Sequence, residues 1–236
     1  MDIFWLFLGG SYLLSLVVQQ SLHAAHRKWG SVRNSAKITG AETAAAILHA
    51  NTMTRVDVRA VRGRLSDHYD PRKKMIALSE PVYAVPSVAA MAVAAHETGH
   101  AIQHDVGYPF LTFRTAMAPL ANVAARFSIP AAVVGAFLGM PLLTQLGILG
   151  FVGAFAFQLI TLPVEFNASK RALEQLNRLQ LLNEEEKKGA KSMLRAAAMT
   201  YVAGAASAAV YVLYLVLIAG RWMLGKAPPL PPPRLP

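Results

Sequence analysis

The chain has 236 residues, of which 54% are hydrophobic and only 15% are charged, whereas roughly 25% charged residues are usual in soluble domains. This shortage of charge indicates that lipid solvates part of the chain, and the absence of cysteine excludes disulfides and cysteine-based metal or nucleophile chemistry. The formal net charge of +10 is explained by basic cytoplasmic loops beside anionic lipid, since the sequence contains no recognisable nucleic-acid-binding module.

The first element is an apolar, uncharged segment from residue 3 to residue 19, which is followed by His23, His26, Arg27 and Lys28. A signal peptide usually carries its positive charges before the apolar run, not behind it. We therefore expect residues 1–22 to be a retained transmembrane anchor with its N-terminus outside, although the segment is at the short end for a membrane span.

Residues 23–115 form a polar, basic region with signals for both helices and strands. Thr39 and Glu42 fit a capping box, which predicts a helix that ends near Asn51. Near period-two patterns predict strands at 56–61 and 75–78, with a turn or loop at 67–71. Ser87 is a suitable N-cap for a long alanine-rich helix over residues 88–104.

The next segment, residues 127–164, contains no charged residue. A single helix of that length would be roughly 57 Å long, whereas the hydrocarbon core of a bilayer is only about 30 Å thick. We therefore expect a transmembrane hairpin over 116–164 that turns near 139–141. A cytoplasmic helix over 165–195, a further span over 196–220 and a proline-rich tail over 221–236 complete the predicted organisation.

The motif His96-Glu97-Thr98-Gly99-His100 lies on the predicted alanine-rich helix. Residues four apart share a helical face, so His96 and His100 can both reach one metal ion at about 2.0–2.1 Å. Glu97 can then act as general base toward a water activated by zinc. The alternative is an amphipathic helix with two histidines in ordinary hydrogen bonds and a surface glutamate.

A catalytic zinc needs a third protein ligand, and the sequence offers His104 and Glu165. His104 is about 6 Å further along the helix axis than His100, which disfavours it. Glu165 directly follows the uncharged hairpin, so two spans would return it to the side of the membrane that carries His100. From position alone, Glu165 is either this ligand or a glutamate that merely marks the membrane boundary.

Several blocks in the same order resemble the bacterial membrane zinc metallopeptidases of the YugP kind. The resemblance is carried by Val32-Arg33-Asn34-Ser35, Thr39-Gly40-Ala41-Glu42, Asp67-His68-Tyr69-Asp70-Pro71-Arg72-Lys73-Lys74, the HETGHAIQ stretch and Leu162-Pro163-Val164-Glu165-Phe166-Asn167-Ala168-Ser169. The last block is also similar to the HtpX and CAAX prenyl protease groups, and this similarity implies that Glu165 is the third zinc ligand. Ser169 stands where those relatives have aspartate, so it is a candidate hydrogen-bond partner for a zinc-bound histidine.

Three further residues are candidates for contacts with the oxyanion or the substrate. His68 and Tyr69 precede a predicted strand, and in a gluzincin-like site an edge strand pairs with the extended substrate. Arg171 is the third candidate. The alternative for His68 is a turn residue bonded to backbone, and for Arg171 it is an interfacial cation.

The sequence therefore predicts a mainly α, polytopic membrane protein with about four transmembrane helices and a small α+β zincin-like catalytic region at the membrane surface. We expect a zinc metalloendopeptidase with one Zn²⁺ that cuts membrane or membrane-adjacent proteins, located in the bacterial inner membrane with its active site toward the cytoplasm. The alternative is a non-catalytic zinc-binding membrane scaffold or adaptor. The expected partners are membrane-protein or peptide substrates and the lipid bilayer, with no nucleic acid, and an oligomer or a partner membrane protein is left open.

Overall fold

The structure is a computed structural model that describes the backbone of residues 3–223 and the side chains of residues 5–213. The predicted proline-rich tail lies outside the described residues apart from 221–223, which end the last helix. Within the described part the protein is mainly helical, with one three-stranded sheet. In chain order the elements are α1 (Ile3–Gly30), α2 (Gly40–Ala50), β1 (Asp57–Val61), β2 (His68–Asp70), β3 (Met75–Ser79), α3 (Glu80–Ala84), α4 (Val88–Asp105), α5 (Pro109–Phe137), α6 (Pro141–Arg178) and α7 (Glu184–Met223).

Side-chain hydrogen bonds cap the N-termini of α2 and α4, the two helices whose starts the sequence predicts. In α2 the Glu42 backbone N–H donates to Thr39 Oγ1 at 3.2 Å, and the Thr39 backbone N–H donates to Glu42 Oε2 at 2.7 Å. In α4 the Ala90 backbone N–H donates to Ser87 Oγ at 3.1 Å. These bonds satisfy N–H groups that have no partner inside the helix, so the predicted starts of both helices are confirmed.

The sheet has the order β1–β3–β2, with β1 parallel and β2 antiparallel to β3. The prediction of a turn or loop over 67–71 is wrong in part, because residues 68–70 form β2. Asp67 accepts hydrogen bonds from the backbone N–H and the hydroxyl of Ser79 at 2.7 and 3.0 Å, which holds β2 beside the end of β3. A three-residue strand is too short to show period two in the sequence.

Four helices in the described part, α1, α5, α6 and α7, are long and apolar enough to cross a membrane. The turn predicted near 139–141 is confirmed, since α5 ends at Phe137 and α6 begins at Pro141. Residues 165–195 do not form the single predicted helix. Instead α6 continues through Pro163 to Arg178, and the first turns of α7 follow after a short connection.

The start of α7 explains this difference. The Asn183 side-chain oxygen accepts hydrogen bonds from the backbone N–H groups of Glu185 and Glu186 at 3.0 and 2.9 Å. Asn183 therefore caps a new helix, which runs without interruption into the last apolar segment. Charged and apolar parts thus share one helix, and composition alone does not reveal where a helix begins.

The buried core surrounds α4, which packs against α2, α6, α7 and the sheet. Its fully buried side chains include Ile47, Ile76, Leu78 and Met91. The long helices pair in the sequence α1 with α7, α7 with α6, and α6 with α5. The helix that carries the histidines is therefore enclosed on several sides, and α6 lies directly beside it.

Candidate active site

His96 and His100 project from one face of α4 toward Glu165 on α6. The Glu165 Oε2 atom lies 3.2 Å from His96 Nε2 and 3.6 Å from His100 Nε2. One ligand atom from each of the three residues lies within 4.8 Å of the others, and in the described residues they form the cluster suited to a metal ion. The two imidazole rings meet edge to face, with planes 83° apart.

Close contact between two backbones brings Glu165 to this position. A Cβ atom added to Gly99 would lie 2.5 Å from the carbonyl oxygen of Ala168, a distance that real Cβ contacts do not reach. The glycine in the motif therefore allows α4 and α6 to approach more closely than any side chain permits. Glu165 lies one helical turn before Ala168, so this contact sets its carboxylate against the histidines.

The other carboxylate oxygen of Glu165 lies close to a cation that the sequence did not indicate. Arg114 Nη1 of α5 is 3.1 Å from Glu165 Oε1, but the two are not aligned for a hydrogen bond, and Oε1 is buried without one. Glu165 itself is 2% exposed. A carboxylate this buried requires charge partners, and Arg114 supplies one while the histidines face the second oxygen.

A chain of hydrogen bonds fixes the orientation of His100. The Gln103 amide nitrogen donates to Val164 O at 2.8 Å and to Asn167 Oδ1 at 3.0 Å, so the Gln103 oxygen is left to accept. That oxygen lies 3.0 Å from His100 Nδ1. We infer that His100 Nδ1 carries the proton and that its Nε2 lone pair points to Glu165, which is the tautomer that a metal ligand needs.

His96 has a comparable partner. Ser169 Oγ lies 3.2 Å from His96 Nδ1, on the side of the ring opposite Glu165. The hydroxyl thus lies within hydrogen-bond distance of one of the two candidate metal-binding histidines. Both imidazoles thus have a neighbour at Nδ1 and present Nε2 to the same point.

The three residues fit a zinc ion by donor type, and the two separations measured from Glu165 fit its size. Two imidazoles and a carboxylate are a usual set of protein ligands for a catalytic zinc. Ligand atoms on a tetrahedral zinc at about 2.0–2.1 Å would be roughly 3.3–3.4 Å apart, and the observed separations from Glu165 Oε2 are 3.2 and 3.6 Å.

Comparison with known proteins agrees with this geometry. Residues 4–220 match the model of a family described as "Putative neutral zinc metallopeptidase". The chain belongs to this family. It is also 42% identical over 205 residues, which are 87% of this chain and 91% of the relative, to a Bacillus subtilis (strain 168) protein described as "Putative membrane protease YugP". No solved structure matches the chain.

In this member of the zinc metallopeptidase family, Glu97 lies in the wall of the same cleft as the three candidate ligands. Burial raises the pKa of the Glu97 carboxyl, His96 opposes this shift and the negative charge of Glu165 adds to it, so that the pKa is about 7. A carboxyl group with a pKa near neutrality can both take up and release a proton at physiological pH. Its position and its proton affinity therefore suit a general base.

The three predicted substrate contacts are placed differently from one another. His68 is exposed and Tyr69 half-buried in β2, and both line the cleft. The Tyr69 hydroxyl lies 2.8 Å from Nδ1 of His104. His104 therefore has a hydrogen-bond partner of its own and is not part of the metal cluster. Arg171 donates from Nε to Asn167 Oδ1 at 2.8 Å and is not among the residues that line the cleft. Its contact with the substrate stays a prediction.

Sequence reasoning missed three residues at this site. Gln103 follows His100 by three positions on the same helix, so the i, i+3 rule could have identified it. Arg114 and Tyr201 also line the cleft beside Glu165. They come from α5 and α7, and only the packing of those helices brings them together.

Proposed function

We propose that the protein is a zinc-dependent endopeptidase in which His96, His100 and Glu165 hold one Zn²⁺ and Glu97 is the general base. The observation that carries the proposal is the convergence of Glu165 with the two histidines, within 4.8 Å of one another. Between His100 and Glu165 the chain runs through α5 and most of α6. The return of Glu165 to the two histidines is expected of a metal centre and not of an isolated amphipathic helix.

Each residue has a defined role in peptide-bond hydrolysis. When bound, zinc supplies Lewis acidity, which lowers the pKa of water and polarises a carbonyl group. Glu97 takes the proton of the attacking water and delivers it to the leaving amine. Gln103 and Ser169 hold the imidazoles in the ligand orientation. Arg114 and His68 line the cleft and can stabilise negative charge.

The cleft can hold an extended peptide beside these groups. Its volume is about 540 Å³, and β2 forms one wall. Because β2 is an edge strand of the sheet, its free backbone groups can pair with a substrate strand. The small sheet beside the motif helix is the basis for proposing a gluzincin-like arrangement of this region.

We further propose that the protein resides in the bacterial inner membrane with the site toward the cytoplasm. The basic residues concentrate in the region of α2 to α4 and at the end of α6, whereas the turn at 138–140 carries no charge. Positive loops remain on the cytoplasmic side. Substrates would then be membrane proteins or peptides at the inner surface.

Metal analysis combined with a cleavage assay tests the catalytic proposal. Wild-type protein should contain one zinc per chain and cut casein or a membrane protein. Glu97→Gln should keep the metal and lose at least about a hundredfold of the cleavage rate, because it removes the general base. Glu165→Ala should lose both metal and cleavage.

The same variants distinguish the alternative of a zinc-binding scaffold. A scaffold would bind zinc, show no cleavage in the wild type and keep its cellular function in Glu97→Gln. Full cleavage by Glu97→Gln, or normal zinc content in Glu165→Ala, would contradict the assignment of these residues.

A further inference from the structure

The cleft does not end at the candidate metal site but continues along α5. On that side its wall consists of Arg114, Thr115, Ala118, Pro119 and Asn122. These residues share one face of the helix, because positions three and four apart are neighbours. The wall extends about 12 Å from Arg114 to Asn122 at 1.5 Å per residue. It therefore leads from the metal site into a helix long and apolar enough to span the membrane.

Two of the helices that line the cleft, α5 and α7, do not pack on each other in the described part of the chain. In the described residues α5 packs along α6 and touches α4, but it has no substantial interface with α1 or α7. Tyr201 of α7 and Glu165 of α6 line the same cleft as the residues of α5. The space between α5 and α7 is thus a lateral gap at the depth of the apolar helices.

The face of α5 that borders this gap is polar. Asn122 is exposed, and Arg126 is exposed one helical turn further on the same face. Polar side chains in membrane spans almost always face a protein interior or a water-filled cavity. In addition, Pro119 has no N–H, so the Thr115 carbonyl cannot accept the usual helical hydrogen bond. Lipid tails cannot satisfy such groups.

A second groove on α5 shows the contrast. It lies between α5 and α6, has a volume of about 500 Å³ and is lined by apolar residues such as Met117, Leu120 and Leu149. Acyl chains suit that groove without any hydrogen bonds. An extended polypeptide in the bilayer, by contrast, needs partners for its own N–H and C=O groups, and the cleft side of α5 offers them.

We propose that the gap between α5 and α7 is a lateral entrance through which the extended end of a transmembrane polypeptide reaches the candidate metal site. Asn122, Arg126 and the Thr115 carbonyl provide its polar contacts. The inference rests on the proposed function and specifies its substrate class: transmembrane proteins that are cut at the unwound end of a span. A soluble loop would need only the part of the cleft near β2.

Site-specific crosslinking tests the entrance without depending on cleavage. The natural chain has no cysteine, so Asn122→Cys in the Glu97→Gln background carries a single thiol. The probe is a reporter with one leucine–alanine span, an extended segment of casein placed next to it, and one cysteine at the junction. Ala116→Cys is the matched control, because Ala116 is exposed on another face of α5.

Crosslinking by a bismaleimide should be at least about tenfold stronger from position 122 than from position 116, as expected for a docked partner at high effective concentration. Equal or absent crosslinking from position 122 would overturn the proposal. Crosslinks between two copies of the chain at this position would also overturn it, because the gap would then be an interface between protomers.

Cleavage selectivity gives an independent measurement. Ala118→Phe should narrow the cleft. It should slow cleavage of the anchored reporter more than cleavage of the same segment as a soluble peptide, so that the ratio of the two rates falls by at least about tenfold. Ala116→Phe should leave the ratio unchanged, and zinc content and thermal stability check that both variants fold. Equal loss of both activities in a zinc-loaded Ala118→Phe would contradict the entrance.

The two experiments separate the entrance from the hydrolase. Crosslinking at position 122 with a wild type that cuts neither substrate would support the entrance and reject the endopeptidase. Cleavage of both substrates without crosslinking at position 122 would support the endopeptidase and reject the entrance.

Discussion

The orientation of each imidazole at the candidate metal centre is decided by a residue that is not itself a ligand. Gln103 can only accept from His100, because both of its amide hydrogens are donated to Val164 and Asn167. Arg171 holds Asn167 in turn. Arg171, a candidate for substrate contact, therefore also supports the orientation of His100 through Asn167 and Gln103.

Gln103→Leu should lower zinc affinity by about 10- to 100-fold, the usual cost of losing a hydrogen-bond partner of a metal ligand. Zinc affinity measured by competition with a chelator checks this. Gln175→Leu is the control, since Gln175 is half-buried and bonds Asn51 away from the site. Unchanged affinity in Gln103→Leu would show that the Gln103 contact does not orient His100.

At the scale of elements, the contact between α4 and α6 depends on Gly99. A side chain at this position would meet the backbone carbonyl of Ala168, which cannot move without shifting α6. Since Glu165 lies on α6, a change in the packing of α4 against α6 would also move the Glu165 carboxylate relative to the two histidines.

Gly99→Ala should therefore destabilise the protein by roughly 1–3 kcal/mol, as overpacking of a close contact does, and should weaken zinc binding as well. Thermal unfolding and zinc titration of the purified protein measure the two effects. Gly153→Ala is a matched control in α6, because its added Cβ would meet nothing within 4 Å. A stable Gly99→Ala with normal zinc affinity would show that the two helices can separate without consequence.

Some boundaries of helices and strands depend on tertiary contacts, which the periodicity of the sequence does not reveal. The start of α2 and the turn between α5 and α6 were predictable from caps, charge and length. In contrast, β2 depends on hydrogen bonds from Ser79 to Asp67, and α6 continues through Pro163 because neighbouring helices support it. These are tertiary effects on local structure.

At the scale of the whole molecule, a bound metal would join α4 to the hairpin that α5 and α6 form. At a free zinc concentration of about 1,000 times the Kd, bound zinc should stabilise the folded protein by about 4 kcal/mol. A chelator should therefore lower the Tm of the wild type and of Glu97→Gln alike. The Tm of Glu165→Ala should not respond to the chelator. An equal chelator response in Glu165→Ala would show that the metal binds elsewhere.

The membrane orientation is also a property of the whole chain. Lys73 and Met140 are exposed at opposite ends of the apolar helices, and the cysteine-free sequence permits a single label at each. An impermeant maleimide should label Met140→Cys in intact spheroplasts, and Lys73→Cys only after the membrane is opened. The reverse pattern would place the metal site outside the cytoplasm.

The sequence by itself determined the chemistry that is encoded locally. Helical spacing set His96 and His100 on one face with Glu97 beside them, and uncharged runs identified the apolar helices, because both signals depend only on neighbours along the chain. Tertiary structure alone decided how Glu165 meets the histidines, how Arg114 reaches its carboxylate and where the cleft opens. Those features depend on which helices pack together, and side-chain contacts across distant segments leave no periodic trace in a single sequence.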